Sequence, residues 1–305
     1  MTTRPLRMAT GPESAAAIRR ELLQGLAPTA ARLETRRPLS PTDVHDARKR
    51  LKRARALLAL LEPALSESDF VACDRAFLAA GKSLATHRDA TVLARTCARL
   101  RRHASFSPAA VASLPDSLRV NRHDRLAPTE ALVTQRRLQQ GLQRLASARL
   151  VARGWPAIGR GLRAVYRRGR RRMPAAKERH PTSECLHAWR RHVKRYWHVL
   201  ELFEVADPDR LRGVVADARR LAEVLGQEHD LSLLAAHLEG HRSRHTAAHV
   251  EVLRELEDRR SRLTRRARKL GARVYAERPR EVAEHMRRTW EHWRRRRGTG
   301  RGTTD

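Results

Sequence analysis

The chain is poor in aromatics, cysteine and acidic residues. Phe, Trp and Tyr make up only 4% of its 305 residues, which leaves few rings for the stacking platforms of general single-strand nucleic-acid binders. The three cysteines, Cys73, Cys97 and Cys185, are odd in number and contain no CxxC pair. A disulfide framework is therefore not expected, and a reducing cytoplasm is. No apolar run approaches bilayer length, and the polar N-terminus, broken by Pro5 and Pro12, lacks a signal-peptide core, so neither membrane spanning nor secretion is expected. There is no Walker loop, dinucleotide loop, helix-turn-helix, zinc finger or RNA-recognition motif. Nor is there an acidic cluster suited to holding Mg²⁺ for phosphoryl transfer. The expectation is a binding protein, not an enzyme, with no cofactor and no metal.

Positive charge is abundant. Sixty-five Lys and Arg stand against 33 Asp and Glu, a formal net charge of +32, with a pI near 11.7. Self-repulsion on that scale calls for a polyanionic partner, with nucleic acid, an anionic membrane surface and inorganic polyphosphate as the candidates. Hydrophobic residues still reach 41%, mostly Ala, Leu and Val at helical spacing, which indicates a folded all-α protein and not a basic tail.

One basic phrase occurs twice. His45, Arg48, Lys49, Lys52 and Arg53 are answered, 142 positions later, by His187, Arg190, Arg191, Lys194 and Arg195; Arg55 of the first copy falls opposite Trp197. In both copies an apolar seam runs beside the cations at steps of three and four: Val44, Ala47, Leu51, Ala54, Leu58 and Leu61, then Leu186, Trp189, Val193, Tyr196, Leu200 and Phe203. Solubility alone does not require the same cation types at the same offsets from the seam, so the pattern indicates an internal duplication that keeps a binding face. A second phrase supports it. Leu84 to Leu93, containing Arg88 and Asp89, matches Leu225 to Leu234, containing His229 and Asp230, at an offset of 141. Asp89 and Asp230 read as partners of neighbouring Arg or Lys.

Prolines punctuate the helices. The pattern predicts helices from Ser14 to about Arg36, then from a cap at Thr42 or Asp43, and from Asp69 to His103. A loop with short helical pieces follows from Ser107 to Pro128, then helices from Thr129 to Arg153 and from Pro156 to Met173. The second motif helix follows Pro181 and Thr182, a further helix spans Asp209 to Leu238, and long basic helical sequence runs through Arg268 to Trp293. Two halves result, 1–154 and 155–293, each with about four main helices. An Arg- and Gly-rich tail over 294–305 is expected to be disordered.

These phrases, in this order, resemble the duplicated pattern of the CHAD domain, a histidine-containing α-helical domain, from about Ser14 to Trp293; Tyr166, Arg167, Arg168, Gly169 and Arg170 look like the family's segment before its second His motif. The resemblance implies two four-helix bundles related by pseudo-twofold symmetry and a basic groove that binds inorganic polyphosphate. It further implies association with polyphosphate granules in the cytoplasm. Carried residue by residue, it implies binding roles for His45, Arg48, Lys52, Arg53, Arg55, Arg88, His187, Arg190, Lys194 and Arg195; Lys49 and Arg191 share their stripes, and Arg167 and Arg170 belong to the preceding segment. The family's usual Arg-Tyr is here Trp197-His198, which leaves His198 to substitute for the contact at 197. The alternative partner is nucleic acid held by its phosphates alone.

His237, His241, His245 and His249 recur every four residues. Gly240 interrupts that stripe and no carboxylate or thiolate completes a metal shell, so it reads as a solvated, acid-titrating face.

Overall fold

The two apolar seams become the centre of the molecule. In a computed structural model, which describes residues 14–84, 86–102, 107–114, 125–152, 154–178, 181–240 and 246–299 (backbone only for 86–91, 113, 177 and 297–299), all twelve seam residues named above are buried. They lie on α2 (Pro41–Leu61) and α8 (Ser183–Glu204). The C-terminal end of α2 is apolar on nearly every side, with every residue from Ala56 to Leu61 buried, and the end of α8 buries Val199, Leu200, Leu202 and Phe203. A helix of that kind belongs inside a protein. α2 and α8 accordingly pack against each other, with α7 (Gly154–Arg172) against both. The contact with α7 depends on Gly161, because a Cβ there would lie 1.9 Å from the Leu60 carbonyl oxygen.

Around this centre α1 (Ala15–Leu33) packs on α2 and α6 (Pro128–Ser147), and α3 (Glu67–Ser83) packs on the same two helices. On the other side α9 (Pro208–Glu239) lies between α8 and α10 (Ala247–Val274), while α11 (Pro279–Thr299) lies on α7. Among the described residues the fold is all-α, with one isolated bridge between Leu39 and Leu126. No described helix is long and apolar enough to cross a membrane.

Several expected boundaries move. The predicted helix from Asp69 to His103 is two helices, α3 and α4 (Thr86–Arg101). The break follows Gly81 and Ser83, and it lets α4 leave α6 and pack on α9. There Cys97 and Leu100, with Ala110 of the short α5 (Pro108–Ser113) and Leu114 just after it, build a separate small core with Leu234, Leu238, Val252 and Leu256. The N-cap of α2 is Ser40, not Thr42 or Asp43: its hydroxyl accepts from the Asp43 N–H at 3.2 Å while the Asp43 carboxylate accepts from the Ser40 N–H at 3.1 Å. α6 ends at Ser147, short of Arg153. α11 continues to Thr299, into the segment expected to be a disordered tail, and Arg294 lies 4.8 Å over the Trp290 ring. Residues 300–305 lie outside the described residues.

Candidate functional site

Ahead of their apolar halves, α2 and α8 carry their cations, and these cations meet across a cleft. The cleft holds about 330 Å³. α2 contributes Arg48, Leu51, Lys52 and Arg55; α8 contributes His187, Arg190, Arg191, Lys194, Arg195 and His198; α3 contributes Phe77, Leu78, Gly81 and Lys82. Eight of these fourteen residues are Lys or Arg, two are His, and none of the described lining residues is acidic. Both copies of the repeated phrase therefore line one cleft. Leu51 and Phe77 are buried apolar residues in its wall, and a low-dielectric wall concentrates the field of the surrounding cations.

Three of the arginines, Arg48, Arg55 and Arg190, are held in place, while Lys52, Lys82 and Arg191 are exposed. Arg48 donates to the Gly81 carbonyl at 3.2 Å. Arg55 presents a bidentate fork to Asp74 at 2.8 and 2.9 Å. Arg190 is 8% exposed and lies over Gly226 of α9. The His187 ring packs on His229 with centroids 4.3 Å apart, so the two repeated phrases of the second half touch. His198 is buried, with Nδ1 2.9 Å from Glu201. Burial and the neighbouring Arg55, Arg168 and Arg191 push the Arg195 guanidinium below its ordinary range, against the opposing pull of Asp74. Such crowding marks a site short of negative charge.

Not every expected residue lines the cleft. His45, Lys49 and Arg53 of α2 lie outside the lining, Arg53 half-buried. Arg167 is exposed on α7. Arg170 donates to the Tyr275 carbonyl at 3.2 Å, a tie between α7 and the end of α10. The Arg88 side chain lies outside the described residues. Lys82 is a lining cation that the repeated phrases do not reveal, because it comes from α3, where no duplicated phrase falls.

The histidine stripe does not form a continuous face. α9 ends at Glu239 and α10 begins at Ala247; His249 is buried in the first turn of α10, not solvated, while His241 and His245 lie outside the described residues.

Comparison with curated protein sequences gives no match. Among solved structures, the crystal structure of the CHAD domain from the plant Ricinus communis is similar at 18% sequence identity and a TM-score of 0.49, over 90% of this chain and 89% of that one. The sequence matches the CHAD domain family over residues 17–239, which contain both motif helices and all of α9. That match spans well over half of the chain, and the protein belongs to the CHAD domain family.

Proposed function

We propose that the cleft between α2, α3 and α8 binds inorganic polyphosphate and that the protein acts by holding the chain, not by cleaving it. The observation that carries this reading is the convergence of cations from both motif copies on one cleft with no acidic residue among its described lining. Polyphosphate is a thin, flexible run of closely spaced anions. It is suited to a narrow cleft where Arg supplies bidentate forks and Lys supplies point charges. The 142-residue offset and the packing of α2 on α8 also support reading residues 1–154 and 155–293 as related halves, two four-helix bundles about a pseudo-twofold axis with the cleft at their junction. Such binding would bring the protein to polyphosphate granules in the cytoplasm.

The test is competition between long-chain polyphosphate and duplex DNA at matched phosphate concentration and fixed salt. Polyphosphate is expected to win by at least about tenfold, near 1.4 kcal/mol. The variant Arg48→Glu, Lys52→Glu, Arg190→Glu, Lys194→Glu should lose nearly all polyphosphate binding while keeping its helical circular dichroism. Equal affinity for DNA would favour the nucleic-acid alternative; wild-type affinity in the folded four-site variant would remove the cleft from the account.

A further inference from the structure

A second group of arginines lies along the seam between α7 and α11. α7 buries Ala157, Ile158, Gly161, Leu162, Val165 and Tyr166. Its Arg160, Arg163 and Arg167 fall at steps of three and four and so form one stripe along the helix; Arg160 and Arg167 are exposed and Arg163 is half-buried. Where α11 lies against this helix, a groove of about 250 Å³ is lined by Arg160, Arg163 and Arg280 together with Trp155 and Glu284. Beyond Trp290 a further hollow of about 300 Å³ is edged by Arg294 and Arg295.

Two features make this seam more than a solvated face. Its nearby carboxylates are already neutralised: Arg287 donates to Glu284 at 2.6 and 3.0 Å and to Glu291 at 2.6 Å. Arg163 and Arg280, in contrast, make no hydrogen bond or ion pair among the described residues. The groove therefore keeps net positive charge in a concave site. It shares no lining residue with the cleft.

We propose that the α7–α11 seam is a second binding site for a phosphate polyanion, so that one molecule holds two stretches of polyphosphate at once. The identity of the ligand rests on the reading of the cleft above; the existence of the site rests on the seam itself. Phosphate, not a nucleobase, is the group it suits. Trp155 and Trp290 pack on each other with centroids 5.5 Å apart, Trp155 also packs edge-on against Phe203, and Trp290 is buried, so neither is open as a stacking platform. Arginines three and four residues apart lie about 5–6 Å from one another along a helix, a spacing that follows a chain of anions. A protein with two such sites bridges polyphosphate chains as well as coating them.

Calorimetric titration of the full chain with polyphosphate too short to span both sites gives the stoichiometry directly. Wild-type protein should bind two equivalents. The variant Arg160→Glu, Arg163→Glu, Arg280→Glu should bind one, and the four-site cleft variant should also bind one. Should the charge-reversed seam variant lose its helical circular dichroism, the corresponding Arg→Gln triple carries the same expectation. A single equivalent in wild type, unchanged by the seam substitutions, overturns the second site and leaves the cleft standing. Two equivalents retained in the cleft variant overturn the cleft reading instead, so the two failures are distinct.

Discussion

Two histidines, His192 and His45, are biased toward the neutral form, and at the residue scale that bias sets two pH dependences. His192 of α8 is half-buried, and loss of hydration, followed by repulsion from Arg195, Arg172, Arg191 and Arg168, pushes it down to about 4. Between that value and the unfolded value near 6.5, the unfolded chain binds the extra proton. Stability from this residue is therefore present above about pH 6.5 and lost as pH falls toward 4. Urea unfolding across that window should show the loss, and His192→Gln should flatten it; an unchanged slope would mean that the imidazole is not held neutral. His45 moves the same way. The repeated phrase suggests neighbouring charge as the cause, but loss of hydration leads, with Lys52, Arg95 and Lys49 adding to it and Asp46 opposing. A phosphate chain arriving beside α2 reverses the local sign, so His45 should take up a proton on binding and polyphosphate should bind more tightly as pH falls below about 6.5. An imidazole NMR titration that is the same with and without polyphosphate would show that His45 does not sense the ligand.

At the scale of elements, one arginine joins three helices. Arg260 of α10 donates to the Glu228 carboxylate of α9 at 3.1 Å, to Glu257 at 2.7 Å and to the Ser183 hydroxyl of α8 at 2.8 Å. Glu228 is only 1% exposed, and burial raises it above the usual carboxylate range despite Arg260. Removing the arginine leaves a buried acid without its strongest partner. Arg260→Met should cost about 3–5 kcal/mol of unfolding free energy, and adding Glu228→Gln should recover part of that loss. An Arg260→Met protein with wild-type denaturant midpoint would show that the pair is spectator to the packing. None of this is legible in the sequence, where Glu228 lies between Gln227 and His229 in a polar stretch and Arg260 is one of many arginines. Helix α2 is the opposite case: its seam, its cations and its start near Pro41 can all be read directly, with only the capping residue misplaced.

For the whole molecule, a net charge of +32 acts in two directions. Without ligand, rising salt screens self-repulsion and should raise the melting temperature. With polyphosphate bound, the same salt competes for the cations, so the logarithm of the binding constant should fall steeply and linearly with the logarithm of salt, by analogy with nucleic acids. Replacing Arg48, Lys52, Arg190 and Lys194 by Gln should flatten that slope; an unchanged slope would place the polyanion elsewhere.

By itself the sequence determined the helical class, the repeated basic phrase and the two helices that carry the principal cations, because all three are written in local periodicity and in fixed spacing between like residues. The α3 side of the cleft, with Lys82, came only from the tertiary structure, as did the break before α4 and the second small core. So did the different fates of Arg167, exposed along α7, and Arg170, tied to Tyr275. Helical periodicity specifies which face of a helix is apolar, but not which distant helix that face meets. In so basic a chain, the cations that share a site are selected by packing, through close approaches such as the one Gly161 allows between α7 and α2.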